Sequence, residues 1–438
     1  MQIGIIIGRI GGVDGVALET EKWIEVLENL GHEIFIITGK VTKDIHKNIQ
    51  ILPELNFHHP LVIREQDDAF YLQRVKEDTI EKRLVHLTQH IEKELLRWLV
   101  KNKIDIFISE NASSLPCHLS MGWAIQQVVE ETKIPTITHD HDFHWERGKR
   151  YKSKYKIVQK IIKNCFPLRE REVVHAVINS PAQQELEKRF DLPSVIVPNV
   201  MDFKKDFAKR DHFNSSLLET LGLFKGDIPI FQVTRVVKRK GIETAIKLIS
   251  ELDNPNIKLI ITGCIDDDHN AEYYGELTDL TNSLHLENQI RFASNSFGNE
   301  RQIGPHLASD LSAKMIKKMG NENKIYSISD AYAYATACTY FSSYEGFGNA
   351  FIESIQAKVP IFVNNYKPVF WPDIGIHGFK VIMLENNRLT NTAIKDMKNI
   401  IFDKKYAKEI AEHNYKLGTK LFSYDVLEKK LLELISGF

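Results

Sequence analysis

One stretch near residue 350 restricts this chain to a narrow set of folds. AYATACTYF, ending at Phe341, is short, apolar and β-branched, the pattern of a buried strand. SYEGFGNAFIESIQAKVP follows over Ser343–Pro360, with Phe351, Ile352, Ile355 and Ala357 at helical spacing. Pro360 then opens another apolar run, IFV. Strand, turn, helix and strand in such close succession read as a crossover unit of an α/β fold. The turn Tyr344-Glu345-Gly346-Phe347-Gly348 holds two glycines, which allow positive φ and leave the backbone open to a ligand. N–H groups at the start of the helix suit a phosphate. Glu345 and Glu353 flank that position, and carboxylates suit hydroxyl donors rather than phosphate. A nucleotide sugar offers both groups; an ordinary turn with solvated glutamates is the plainer alternative.

The same pattern runs through the rest of the chain. Residues 2–7 read as a strand, VALETEKWIEVLENLGHE as a helix closed by Gly31, and IFIIT (34–38) as a second strand. Between them, GRIGGVDGV carries Gly8, Gly11, Gly12 and Gly15. That spacing is not the dinucleotide fingerprint, and no acidic residue ends the second strand. Glycines kept only for close helix packing are the alternative to a ligand-facing loop. Residues 66–102 read as one long helix, IDIFIS and PTITH as strands, and VVHAVINS as a strand ending in the capping pair Ser180-Pro181. After VPNVMDF the pattern restarts: strands at 228–236, 257–263 and 289–294, a polar insertion over 295–325, and a last helix near Ser423–Leu434.

Strand ends in such sheets are where ligands bind, so HDHDFHWERGKRYK after PTITH draws attention. His139, His141 and His144 are candidate metal ligands, and Asp140-His141-Asp142 is formally a D-x-D that could hold a divalent cation. A purely structural cluster is the third reading. Trp145 offers a face for sugar stacking, Asp142 accepts hydroxyl hydrogen bonds, and Arg147 can grip a carboxylate or phosphate. The basic run from Arg147 to Lys163 reads as a solvated helix face, or as an attractor for an anionic acceptor or membrane surface.

At 438 residues, 43% hydrophobic and net charge −1, the chain is an ordinary globular protein of two or three domains, not a nucleic-acid binder running on bulk charge. Four scattered cysteines without a C-x-x-C pair fit a reducing cytoplasm. MQIGIIIG lacks the features of a signal peptide, and no apolar run reaches bilayer length.

Glu345-x7-Glu353 around GFG resembles the E-x7-E signature of the retaining GT-B glycosyltransferases of family 4. Arg235-Val-Val-Lys-Arg-Lys240 resembles their R-x4-K, VPNVMDF their domain crossing with its usual glycine missing, and His139-Asp140 their histidine beside the transferring sugar. The resemblance implies two Rossmann-like domains with parallel sheets facing a central cleft: an acceptor domain over 1–200 and a donor domain over 201–422, with 423–438 returning to the first. It implies a cytoplasmic hexosyltransferase of carbohydrate biosynthesis, taking a UDP- or GDP-sugar and a small, polar, anionic acceptor, with no metal, no nucleic acid and no stable membrane insertion. Arg235 and Lys240 would clamp the diphosphate, with Lys238 and Arg239 facing outward. Glu345 and the backbone of Gly346, Phe347, Gly348 and Asn349 would hold the sugar, and Glu353 the ribose. Gly12 and Gly15 would face the donor, and His139 the reacting carbon; Asp142, Trp145 and Arg147 would receive the acceptor. HDHDFHWERGKRY, VPNVMDF and TRVVKRKGIE together resemble a subgroup with small soluble acceptors, such as the mannosylglucosylglycerate synthases. A phosphorylase of the same architecture, or a non-catalytic nucleotide-sugar or glycan binder, are the alternatives.

Overall fold

The computed structural model describes residues 1–12, 14–43, 45–263, 268–298, 300–303 and 324–438. The chain divides into two compact units, Met1–Val200 with Tyr424–Phe438, and Met201–Ser423. Both are α/β, as the apolar runs predict.

The first unit is built on seven strands: β1 (Gln2–Ile7), β2 (Glu33–Thr38), β3 (Ile49–Ile51), β4 (Ile106–Glu110), β5 (Thr136–Asp140), β6 (Val173–Val177) and β7 (Ser194–Ile196). They pair in parallel in the order β3-β2-β1-β4-β5-β6-β7. Side chains alternate between two buried faces, which is why these strands read as continuous apolar runs. Ile3, Ile5, Ile34, Ile36, Ile106 and Ile108 pack on Trp23, Ile24 and Leu27 of α1 (Gly15–Asn29). Ile6, Ile37 and Phe107 face the other way, onto Leu87, Ile91 and Leu95 of α3 (Glu77–Asn102) and Ile125 and Val128 of α4 (Leu119–Thr132). The terminal helix Tyr424–Ile435 joins the α1 side, where Leu427, Leu431 and Leu434 are fully buried. At about 1.5–3 kcal/mol for each buried leucine, that helix is a structural member of the first unit.

Two expectations change here. The single helix over 66–102 is interrupted: α2 (Pro60–Gln66) ends in a wide turn over Asp67–Tyr71, and Gln73 at φ 49° breaks the path before α3. The cap ahead of Ser180-Pro181 is Asn179, whose side chain accepts from Ala182 N at 2.8 Å. Only the end of the basic run, Lys156, Lys160 and Lys163, lies on α5 (Lys156–Cys165), whose apolar face, Val158 and Ile161, is buried in the unit; the rest precedes the helix.

The second unit carries β8 (Ile228–Gln232), β9 (Ile257–Ile261), β10 (Ile290–Phe292), the short β11 (Phe297–Gly298), β12 (Gln302–Ile303) and β13 (Lys324–Ser327), then β14 (Ala337–Tyr340), β15 (Tyr344–Glu345), β16 (Ile361–Asn364), β17 (Lys367–Pro368) and β18 (Ile382–Leu384). Its main sheet is parallel, β10-β9-β8-β14-β16-β18. The helix predicted after the glycine turn spans Asn349–Gln356 and buries Phe351, Ile352 and Ile355. Flanks of the polar 295–325 segment pair as β11-β13-β12; residues 304–323 lie outside the described set. Among the described residues no helix is long and apolar enough to cross a membrane.

Candidate functional site

Each main sheet reverses its strand order once, between β1 and β4 and between β8 and β14. Loops leaving the carboxyl ends of such a pair diverge and open a crevice, the usual ligand position in open α/β sheets. The motif residues fall at these points.

In the second unit, buried Gln232 at the end of β8 ties the two loops together. Its Nε2 donates to Lys240 O at 2.9 Å, and its Oε1 accepts from Thr339 Oγ1 of β14 at 2.9 Å. Gly241, at φ +60°, lies so close to the neighbouring loop that a Cβ would sit 2.3 Å from Phe341 O. The outcome joins residues 105 apart: Lys240 Nζ donates to Glu345 Oε1, and Arg239 Nη1 lies 2.9 Å from Glu345 Oε2. Lys238 faces outward as expected, on Glu276. Arg239 is exposed too, but its guanidinium reaches back to Glu345 and donates to Tyr344 O at 2.8 Å. Lys238–Lys240 form one 3-10 turn, whose neighbouring side chains fan out by about 120°, and Arg239 and Lys240 meet different oxygens of Glu345.

Burial alone would raise the Glu345 pKa; Lys240 and Arg239 outweigh it and hold the carboxylate below its ordinary range. Burial lowers the Lys240 pKa, Glu345 opposes, and exposed Arg235 is near enough for its charge to add to the lowering. Among the described residues, two cations share the one Glu345 carboxylate, an arrangement suited to an anionic ligand. Gly348, at φ +120°, starts the helix; a Cβ there would come 2.6 Å from Tyr366 Oη. Asn349 and Gly346 are half-buried beside it. Phe347 is buried edge-on against Phe422, so only its backbone can face a ligand. Glu353 is half-buried and accepts from Tyr332 Oη at 2.9 Å.

In the first unit, His139 is the next-to-last residue of β5, 1% exposed, its ring stacked on Trp23 at 4.0 Å. His139 Nδ1 lies 2.9 Å from Oε2 of Glu110, the last residue of β4. The His141 ring follows at 4.3 Å. Burial drives both imidazoles down to about 3, leaving them neutral, and pushes the Glu110 carboxyl up to about 8. The D-x-D pair is split between different partners. Asp140 accepts from Thr138 Oγ1 at 2.7 Å, whereas Asp142 accepts from Asn111 Nδ2 at 3.3 Å and pairs with Arg147. His144 stands apart, against Trp145. The set that could hold a metal is Glu110, His139 and His141.

Trp145 is less available for sugar stacking than its sequence position suggests. Its ring stacks on Phe143 at 4.4 Å and lies under the Arg189 guanidinium at 5.1 Å. Arg147 remains exposed, beside Asp142. In the glycine loop, a Cβ on Gly8 would strike Phe57 at 2.6 Å, and Gly11 has φ +79°. Gly12 would meet nothing closer than 3.5 Å and Gly15 nothing within 4 Å, so close packing does not account for those two. Asp14 caps α1, accepting from Ala17 N at 3.1 Å.

Sequence reasoning missed Glu110 and Trp23, and the pairing of Arg239 with Glu345. An acid closing the run IDIFISE was a usable signal for Glu110; nothing local pointed to the other two.

Comparison with known proteins agrees with this architecture. Residues 216–302 match the family described as glycosyl transferases group 1. The mannosylglucosylglycerate synthase of Thermotoga maritima is 30% identical over 444 residues, covering 98% of both chains. That of Petrotoga mobilis is 28% identical over 448 residues, covering 98% of this chain and all of the relative. Among solved structures, HepE of Anabaena in complex with UDP and glucose superposes with a TM-score of 0.64 at 13% identity, covering 100% of this chain and 99% of that one. Sucrose-phosphate synthase of Thermosynechococcus elongatus gives 0.63 at 13%, covering 100% and 98%. At such identities the structures speak for the fold alone, and the full-length relatives for the family: this chain is a GT-B glycosyltransferase belonging to the mannosylglucosylglycerate synthase family.

Proposed function

We propose that the chain is a retaining hexosyltransferase, moving an α-linked hexose from a UDP- or GDP-sugar to a small, anionic, hydroxylated acceptor, with no metal on the diphosphate. The observation that carries this reading is the pairing of Arg239 and Lys240 with Glu345 at the β8/β14 switch point, with Arg235 close enough for its charge to act on Lys240. Fixed cations there oppose the charge that builds on the leaving diphosphate, which is where preorganised charge is worth most. Glu345 and the Gly346–Asn349 backbone would hold the sugar, and Glu353 the ribose. Gly12 and Gly15 would allow close approach of the donor. His139, neutral and held by Trp23, would sit near the reacting carbon. No carboxylate pair of the glycosidase type is assigned, so no covalent intermediate is invoked. The acceptor oxygen attacks C1 on the face the diphosphate leaves; the C1–O bond to phosphate breaks, and the acceptor proton passes to the departing phosphate oxygen.

The relatives' name supplies the acceptor class. A mannosylglucosylglycerate contains one sugar more than a glucosylglycerate, whose carboxylate suits Arg147 and whose hydroxyls suit Asp142. The test incubates the protein with UDP-, GDP- and ADP-hexoses and glucosylglycerate, in chelator, and reads product anomer by NMR. An α-linked product from an α-linked donor, formed equally with and without chelator, is expected. An inverted product, or a strict need for added Mg²⁺ or Mn²⁺, would overturn the mechanism; nucleotide binding without turnover on any acceptor would overturn the enzyme reading.

A further inference from the structure

We infer that Glu110, His139 and His141 form a binding site for one borderline divalent transition-metal ion, such as Zn²⁺ or Co²⁺, at the carboxyl ends of β4 and β5. The inference shares His139 with the reading above, but its test reads metal binding and not turnover, so the two fail separately.

The observations are geometric. One ligand atom from each of the three residues lies within 4.8 Å of the others, and among the described residues no other trio of His, Cys, Asp or Glu meets that criterion. Each of two members carries a buried polar atom without a direct hydrogen-bond partner, Oε1 of Glu110, a residue 2% exposed, and Nε2 of His141, with Thr20 the further side chain that bears on the Glu110 carboxyl. Buried polar atoms nearly always find a partner, so two orphans in one three-residue cluster ask for a missing group. The third member is already close, since Glu110 Oε2 and His139 Nδ1 share a single hydrogen at 2.9 Å. A cation there would bring in the remaining ring.

The distances needed are modest. Zinc–ligand bonds of about 2.0–2.1 Å in a tetrahedron place ligand atoms roughly 3.4 Å apart, so closure from separations of up to 4.8 Å asks for at most about 1.4 Å of side-chain movement. Glu110, last in β4, and His139, next to last in β5, are register partners with fixed backbone, and His139 is braced by Trp23. His141, one residue past β5 and half-buried, has the freedom to adjust. Two imidazoles and one carboxylate select zinc, cobalt, nickel or iron over magnesium and calcium, which favour all-oxygen shells. Three protein ligands leave a fourth position for water or another ligand.

The full-length protein, stripped with chelator and dialysed, is titrated with Co²⁺ and followed by ligand-field absorption, then by calorimetry with Zn²⁺ and by thermal unfolding. We expect one equivalent to bind, with a nitrogen/oxygen cobalt spectrum, a higher Tm, and no comparable effect of Mg²⁺. Glu110→Gln and His141→Asn should each weaken binding at least 10-fold and change or erase the cobalt band. His141→Asn and His141→Gln, at a half-buried position, carry the test if Glu110→Gln fails to fold. Absence of saturable binding, or binding equally strong in the His141 variants, would overturn the site: the first would leave an ordinary buried hydrogen-bond cluster, the second would assign the metal to other histidines.

Discussion

Replacing Lys240 with alanine tests the donor clamp most directly, because the same atom serves the fold and the proposed chemistry with different magnitudes. Lys240 and Glu345 are 9% and 8% exposed. Breaking a buried ion pair outright costs about 3–5 kcal/mol, because it strands the other charge. Here Glu345 is not stranded: Arg239 stays 2.9 Å from its second oxygen. The loss in folding stability should then be about 2–3 kcal/mol, below the full penalty. For a unit of roughly 150–250 residues that lowers Tm by about 4–12 °C. Turnover should fall much further. A fixed group acting on charge that develops in the transition state is worth about 10²–10³ in kcat, and its removal lowers kcat more than it raises the KM for donor. The assay is initial-rate kinetics over a donor series, run well below the variant's own Tm, with Lys240→Met as a second variant that keeps the stem. A variant with the expected drop in Tm but near-normal kcat would refute the reasoning, since Lys240 would then serve the fold alone.

Gly15→Ala should leave Tm unchanged or slightly higher, as a Cβ meets nothing there and alanine is favoured in helices by up to about 1 kcal/mol, while donor affinity falls; unchanged donor affinity would remove Gly15 from the site. Arg147→Ala should weaken acceptor use at least several-fold with donor affinity nearly constant, measured by separate titrations; equal loss for both would make the Arg147–Asp142 pair structural. The pH dependence of stability follows from Glu345, whose folded pKa lies below its ordinary 4.5. A depressed carboxyl pKa stabilises the fold above that ordinary value, and the contribution is lost as pH falls through the folded pKa. Denaturant unfolding of the wild type should therefore weaken on acidification below about pH 4.5, and Lys240→Ala should show a shallower dependence over that range; identical slopes would place the acid-sensitive carboxylates elsewhere.

The sheets were legible because parallel strands buried on both faces must be apolar along their whole length. β3 escaped because Ile49-Gln50-Ile51 is short and lies at a sheet edge. The break between α2 and α3 escaped because heptad-like leucines in α3 extend a helical impression backward, while the left-handed Gln73 carries no glycine to announce it. The motif residues around Gly348 could be placed on a strand–turn–helix, yet the partnership of Arg239 with Glu345 could not. It depends on how one 3-10 turn after β8 meets a turn more than a hundred residues later. Likewise His139 was visible at a strand end, but its companion Glu110 belongs to the neighbouring strand, paired by register and not by sequence distance.

The terminal helix has a consequence for biogenesis. Its three buried leucines complete a core begun by Ile3 and Ile5, so the first unit is interrupted by the whole of the second. During synthesis the early strands emerge first but keep one face uncovered until residues 424–434 arrive. By then the intervening unit, Met201–Ser423, has already been translated. Folding order is thus reversed relative to chain order: the half that is made first is closed last. In that interval the α1 side of the first sheet is the surface a chaperone would recognise, and a lesion that removes the last helix would be felt most at the opposite end of the sequence.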